Sequence, residues 1–129
     1  MTKKLEVYRC NVCGNIVEVH HRGQGNLVCC GQTMELMEEK REEEGNEKHL
    51  PVIEETDDGV DIVVGEVEHP MEESHYIEWI EVITKRQKGA LKKFLSPGEE
   101  PKVSFNIDKD DIVAVREYCS VHGLWKMTT

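Results

Sequence analysis

Four of the five cysteines fall within the first 30 residues, as Cys10-Asn11-Val12-Cys13-Gly14 and Cys29-Cys30-Gly31. A C-x2-C knuckle followed by glycine sets two thiolates one turn apart, and the glycine lets backbone amides point at the sulfurs. Four thiolates complete a tetrahedral site. The adjacency of Cys29 and Cys30 is unusual, because two ligands without a spacer cannot adopt a relaxed knuckle; a distorted tetrahedron is expected. A vicinal disulfide is the plain alternative, but it leaves the C-x2-C without a purpose. Short alternating runs at 6–9, 16–20 and 27–29 read as small strands around turns such as Gly23-Gln24-Gly25-Asn26. Residues 1–37 are too few to bury a self-sufficient core, so metal binding there is also folding energy. Spacing does not separate zinc from iron.

The fifth cysteine, Cys119, stands three residues before His122 in Glu117-Tyr118-Cys119-Ser120-Val121-His122-Gly123, after the apolar run 112–115. If the chain turns after a strand, a thiolate and an imidazole at this spacing face one metal. Taken alone, the pair reads equally well as an inert core cysteine with a histidine nearby.

Length suits one ordinary domain, or a very small one joined to a modest one. A formal charge of −10 and a pI near 5.0 argue against nucleic acid or an anionic membrane as the main partner. No apolar run approaches the roughly 20 residues needed to span a bilayer. The N-terminal Met1-Thr2-Lys3-Lys4-Leu5-Glu6 turns polar too soon for a signal peptide. A cytoplasmic, reducing setting is expected, where cysteines serve as metal ligands or redox groups rather than as a disulfide framework.

Residues 38–48 are dominated by charge and read as a solvated linker. His20 and His21, at the edge of the first segment, read as surface. Residues 49–129 alternate like an all-β domain, with candidate strands at 52–55, 60–67, 76–83, 103–107 and 112–118. Turn signals fall at Asp57-Asp58-Gly59, Ser96-Pro97-Gly98 and Asp108-Lys109-Asp110-Asp111. In 76–83, Ile77, Trp79, Glu81 and Ile83 share one face and Tyr76, Glu78, Ile80 and Val82 the other. Neither face is cleanly polar, which marks a central strand. Several short strands at this spacing suggest a compact β-sandwich. The basic stretch 85–93 reads as solvated surface, with a docking patch for an acidic electron donor as the alternative.

His49, His69, His75 and His122 all belong to this second half, three of them beside turn formers. Singly, each would be polar surface. Four imidazoles with one otherwise unassigned thiolate describe instead a five-coordinate site with one position open. That set excludes calcium and magnesium and exceeds what structural zinc uses, so iron fits best.

Cys10-x2-Cys13, Cys29-Cys30, Glu47-Lys48-His49-x-Pro51-Val52-Ile53, His69-Pro70-Met71-Glu72-Glu73-x-His75-x-Ile77-x-Trp79-Ile80-Glu81 and Arg116-Glu117-Tyr118-Cys119-x2-His122-Gly123-x-Trp125-Lys126 carry a resemblance along essentially the whole chain. The sequence resembles the desulfoferrodoxins, the two-iron class of superoxide reductase. The resemblance implies a mainly β protein: a desulforedoxin-like domain at 1–37, the linker at 38–48, and an immunoglobulin-like β-sandwich at 49–129, in a homodimer. It further implies two mononuclear irons. Cys10, Cys13, Cys29 and Cys30 would hold a distorted rubredoxin-type iron, while His49, His69, His75 and His122 would surround the second, with Cys119 axial.

The implied activity is one-electron reduction of superoxide to hydrogen peroxide, with the iron re-reduced by a small external donor such as rubredoxin. An axial thiolate donates charge to the metal and so favours its ferric state. Lys48 is the candidate cation for drawing an anionic substrate toward an acidic protein, and Glu47 the candidate for filling the sixth position once the iron is ferric. Without the resemblance, both read as the end of a charged linker. A rubredoxin-like electron carrier and a zinc-binding adaptor are the competing classes; the first predicts a closed second centre and the second a colourless protein.

Overall fold

The computed structural model describes residues 1–41, 49–64 and 71–129. The chain forms two compact units, Met1–Glu38 and Glu39–Thr129. In the first, β1 (Val7–Arg9) lies between β2 (Ile16–Glu18) and β5 (Glu35–Leu36), antiparallel to both. A separate hairpin joins β3 (Val28–Cys29) to β4 (Gln32–Thr33). Its interior is small: Leu5, Val7, Val19 and Met34 are buried, together with Cys10. So little apolar burial leaves a folding deficit that bound metal can fill.

The second unit is a β-sandwich. One sheet has the order β10-β7-β6, from β6 (Pro51–Thr56), β7 (Gly59–Val64) and β10 (Lys102–Phe105). The other has the order β12-β11-β8-β9, from β8 (Ile77–Thr84), β9 (Ala90–Phe94), β11 (Ile112–Cys119) and β12 (Gly123–Thr128). Every neighbouring pair is antiparallel. Strict alternation in β7 turns Val60, Ile62 and Val64 inward, where they meet Val103 and Phe105 of β10 and Ile80, Val82 and Val115 of the facing sheet. Gly59 fits the turn before β7 because a Cβ there would come within 2.2 Å of the Phe105 carbonyl oxygen.

Strands stand at each expected place, with shifted ends; β7 ends at Val64, and 65–67 fall outside the described residues. The central position of β8 is observed, between β11 and β9. Its faces differ from strict alternation. Ile77 joins Ile80 and Val82 in the core instead of siding with Trp79, Glu81 and Ile83. The cause is a register shift: Tyr118 pairs with Trp79 but Cys119 with Ile77, so one extra residue bulges from β8. The basic stretch 85–93 is largely exposed, as expected, and Ala90–Phe94 within and beyond it also pairs along β8 as an edge strand. Lys92 Nζ lies 3.9 Å from the centroid of the Trp79 ring and 3.5 Å from the Glu81 carboxylate.

The front of the expected linker belongs to the second unit. The Lys40 amide donates to the Leu124 carbonyl at 2.9 Å and the Lys126 amide to the Lys40 carbonyl at 2.9 Å. Glu39 reaches Arg116, whose Nε donates to Glu81 at 2.8 Å in a buried ion pair.

Candidate metal centres

Cys10 and Cys13 frame the turn leaving β1. The Gly14 amide donates to the Cys10 carbonyl at 2.9 Å, and the Cys13 amide donates to Cys10 Sγ at 3.4 Å. Gly14 has φ +84°, the left-handed conformation this knuckle requires. Across from it, Cys30 and Gly31 form the two-residue turn of the β3–β4 hairpin, with φ of +52° and +73°. Two successive positive φ values give the tight twist that suits such hairpins. This is how adjacent cysteines both reach one point, at a strain of about 1 kcal/mol for the non-glycine Cys30.

Cys13 Sγ lies 3.6 Å from Cys29 Sγ, and Cys29 Sγ lies 3.9 Å from Cys30 Sγ. A disulfide needs about 2.05 Å, so the vicinal disulfide is ruled out, and all five cysteines are free thiols. The four sulfurs lie within 4.8 Å of one another. The Cys13 amide draws the Cys10 thiol down to about 6, while the sulfurs of Cys13, Cys29 and Cys10 push Cys30 up to about 12. Four neighbouring anions are unfavourable without a central cation; a metal lets all four ionise.

The second group stands at one end of the sandwich. Cys119 closes β11 and is fully buried, and the turn to β12 carries His122. The His122 amide donates to Cys119 Sγ at 3.5 Å, and that sulfur is 3.8 Å from His122 Nδ1. Gly123, with φ +85°, lets the chain reverse immediately after the histidine. His49 precedes β6 and is buried; its Nε2 is 3.1 Å from His122 Nδ1. His75 precedes β8 in a tight turn where Glu72 and His75 exchange backbone hydrogen bonds at 2.9 Å, and its ring centroid is 5.1 Å from that of His122. Ser120 ties the two turns together, its Oγ accepting from the Tyr76 amide at 3.0 Å and its amide donating to the Tyr76 carbonyl at 2.9 Å.

His49, His75, Cys119 and His122 thus present ligand atoms within 4.8 Å of one another. Three imidazoles and a thiolate suit a borderline transition metal and no hard cation. His69, Glu47 and Lys48 lie outside the described residues. His20 and His21 are exposed, as expected of surface residues.

Three further side chains bear on this group. Trp125 stacks on His49 at 4.6 Å between centroids and 9° between planes. Lys40 donates from Nζ to the His122 carbonyl at 2.9 Å. Glu117 pairs opposite Trp125 across β11 and β12 and is fully buried; burial pushes its carboxyl well above the usual range. Among the described residues, neither the Glu117 carboxyl oxygens nor Trp125 Nε1 has a hydrogen-bond partner. The motif Gly123-x-Trp125 marked the indole without giving it a role; nothing in spacing marked Lys40.

Fold and sites define a two-unit β metalloprotein with one four-sulfur centre and one imidazole–thiolate centre. The family model for desulfoferrodoxin matches residues 41–128, and that for the desulfoferrodoxin N-terminal domain matches residues 2–37. A desulfoferrodoxin homolog of Archaeoglobus fulgidus is 57% identical over 127 residues, 98% of each chain. The desulfoferrodoxin of Nitratidesulfovibrio vulgaris is 52% identical over 126 residues, again 98% of each. The crystal structure of the superoxide reductase from Treponema pallidum superposes with a TM-score of 0.78 at 25% identity, covering 98% of this chain and 100% of that one. The chain belongs to the desulfoferrodoxin family. Its four-cysteine group and its three-histidine, one-cysteine group are consistent with the two iron sites of desulfoferrodoxin.

Proposed function

We propose that this protein is a superoxide reductase, converting superoxide to hydrogen peroxide at its second centre with one electron from the centre and two protons from water. The observation that carries the proposal is the convergence of His49, His75, His122 and Cys119 on one point. It is supported by family membership and by the superoxide reductase named for the Treponema pallidum structure. In this reading His69 would complete the ligand set, and His49, His69, His75, His122 and Cys119 would together hold the iron.

Iron held there would supply one-electron chemistry. The chain supplies the rest. Burial of Cys119 keeps its sulfur from water, and the His122 amide tempers its charge. Stacking on Trp125 fixes the plane of His49. Lys48 would draw the anion inward against the net charge of −10, and Glu47 would offer its carboxylate to the oxidised centre.

In the same reading, residues 1–37 form the four-sulfur iron domain, 38–48 the linker and 49–129 the reductase domain. The first centre passes electrons onward from a rubredoxin-like donor; Cys13 and Cys30 are exposed, which suits electron entry there. A homodimer in the cytoplasm completes the proposal. Among the described residues no helix is long and apolar enough to cross a membrane.

The test is stoichiometric. Ferrous protein mixed with pulse-generated superoxide should be oxidised at the second centre and yield hydrogen peroxide without dioxygen. A protein that carries electrons yet leaves superoxide untouched would be an electron carrier of rubredoxin type. Dioxygen release would make it a dismutase.

A further inference from the structure

The front of the expected linker places a cation beside the second centre. Residues 39–41 are fastened to β12 and β11 by the two Lys40 backbone bonds and by three side-chain contacts. Glu39 lies 3.3 Å from Arg116 and 3.5 Å from Lys126, and Arg41 Nη1 donates to Thr128 Oγ1 at 3.0 Å. With the backbone held, the Lys40 ammonium has a defined place. It donates to the carbonyl of His122 and stands 5.5 Å from the centroid of the Trp125 ring. That ring stacks on His49. One charge therefore bears on two candidate ligands, on His122 through its own backbone and on His49 through the indole between them. Glu39 is engaged by Arg116 and Lys126, and among the described residues no carboxylate neutralises Lys40.

We propose that Lys40 is a positioning residue of the second metal centre, which holds the His122–Gly123 turn and lends the centre a fixed positive charge favouring anions. This rests on the reading of that centre as one that accepts superoxide, itself an anion. The hydrogen bond opposes rotation of the His122 peptide, so the imidazole keeps its direction. The charge acts over a longer range and is screened by salt, whereas the hydrogen bond is not. The two contributions are therefore separable.

The test uses the iron-loaded full-length protein, Lys40→Met and Lys40→Arg, with azide as a non-reacting monoanion. Azide binding to the ferric second centre is followed by absorption at low and high ionic strength. Lys40→Met should weaken azide binding about two- to fivefold at low salt, with the deficit shrinking as salt rises. Lys40→Arg should restore wild-type affinity. Equal affinity of Lys40→Met and wild type at low salt, or a deficit that salt leaves unchanged, would overturn the electrostatic role. A wild-type protein that binds azide but ignores superoxide would sink the functional reading while leaving the azide comparison valid for Lys40.

Discussion

His49 Nε2 and His122 Nδ1 stand 3.1 Å apart, although 73 positions separate the two residues in the chain. One reaches the point from the start of β6, in one sheet, and the other from the turn between β11 and β12, in the facing sheet. The centre is therefore a seam across one end of the sandwich, and its geometry depends on how the two sheets are packed. Deforming the core should disturb the metal.

Cys119 is the most direct place to probe that seam. Cys119→Ser should remove the sulfur-to-iron charge-transfer band of the oxidised second centre, leaving the bands of the four-cysteine centre in place, and suppress superoxide reduction. Cys119 also belongs to the apolar core, so placing a hydroxyl there should cost about 1–3 kcal/mol of stability. An unchanged visible spectrum would refute sulfur ligation.

Cys30→Ser should remove the first iron and loosen residues 1–37, because that unit buries little else to hold it. Metal analysis and amide hydrogen exchange read both effects. The second unit should keep its own iron and its reaction with superoxide; loss of both irons would contradict independent centres.

Lys48→Ile should slow the bimolecular reaction with superoxide and flatten its dependence on salt. Glu47→Ala should leave that first step unchanged and alter the spectrum of the ferric centre. Pulse-generated superoxide with fast absorption resolves the two. A lysine variant with wild-type rate and salt dependence would dismiss capture by Lys48.

Asp61 ties β7 to β10. It accepts from Ser104 Oγ at 2.6 Å and faces Lys102 at 3.3 Å, and these contacts, the first above all, hold its carboxyl below the ordinary value. A depressed folded-state pKa means stabilisation that is present above the unfolded value of about 3.9 and is lost as pH falls through the folded one. Asp61→Asn should therefore melt below wild type near neutral pH and match it in acid. A difference that persists in acid would point to packing rather than charge.

The sandwich was legible where one strand face is apolar. β7 and β10 alternate regularly, and their spans were expected from the sequence. β9 was hidden because its lysines look like surface, although Lys92 and Lys93 set their ammonium groups over Trp79 and Phe105. β12 was hidden because only pairing with β11 makes a strand of it. The bulge in β8 shifts its alternation by one residue, which a count of period two cannot anticipate. Cysteine and histidine announced the centres because few other roles explain them so grouped. Trp125 and Lys40 carry no such mark, since their relation to His49 and His122 exists only after folding.

The unequal exposure of the sulfurs bears on how the protein ages. Cys119 is sealed inside the sandwich, while Cys13 and Cys30 face solvent. Conversion of thiols to sulfenic and then irreversible acids follows accessibility. Peroxide in the surroundings meets the N-terminal sulfurs first, so wear falls on the four-cysteine cluster and spares the thiolate of the second centre. A worn molecule would be one that has lost its first colour and kept its second.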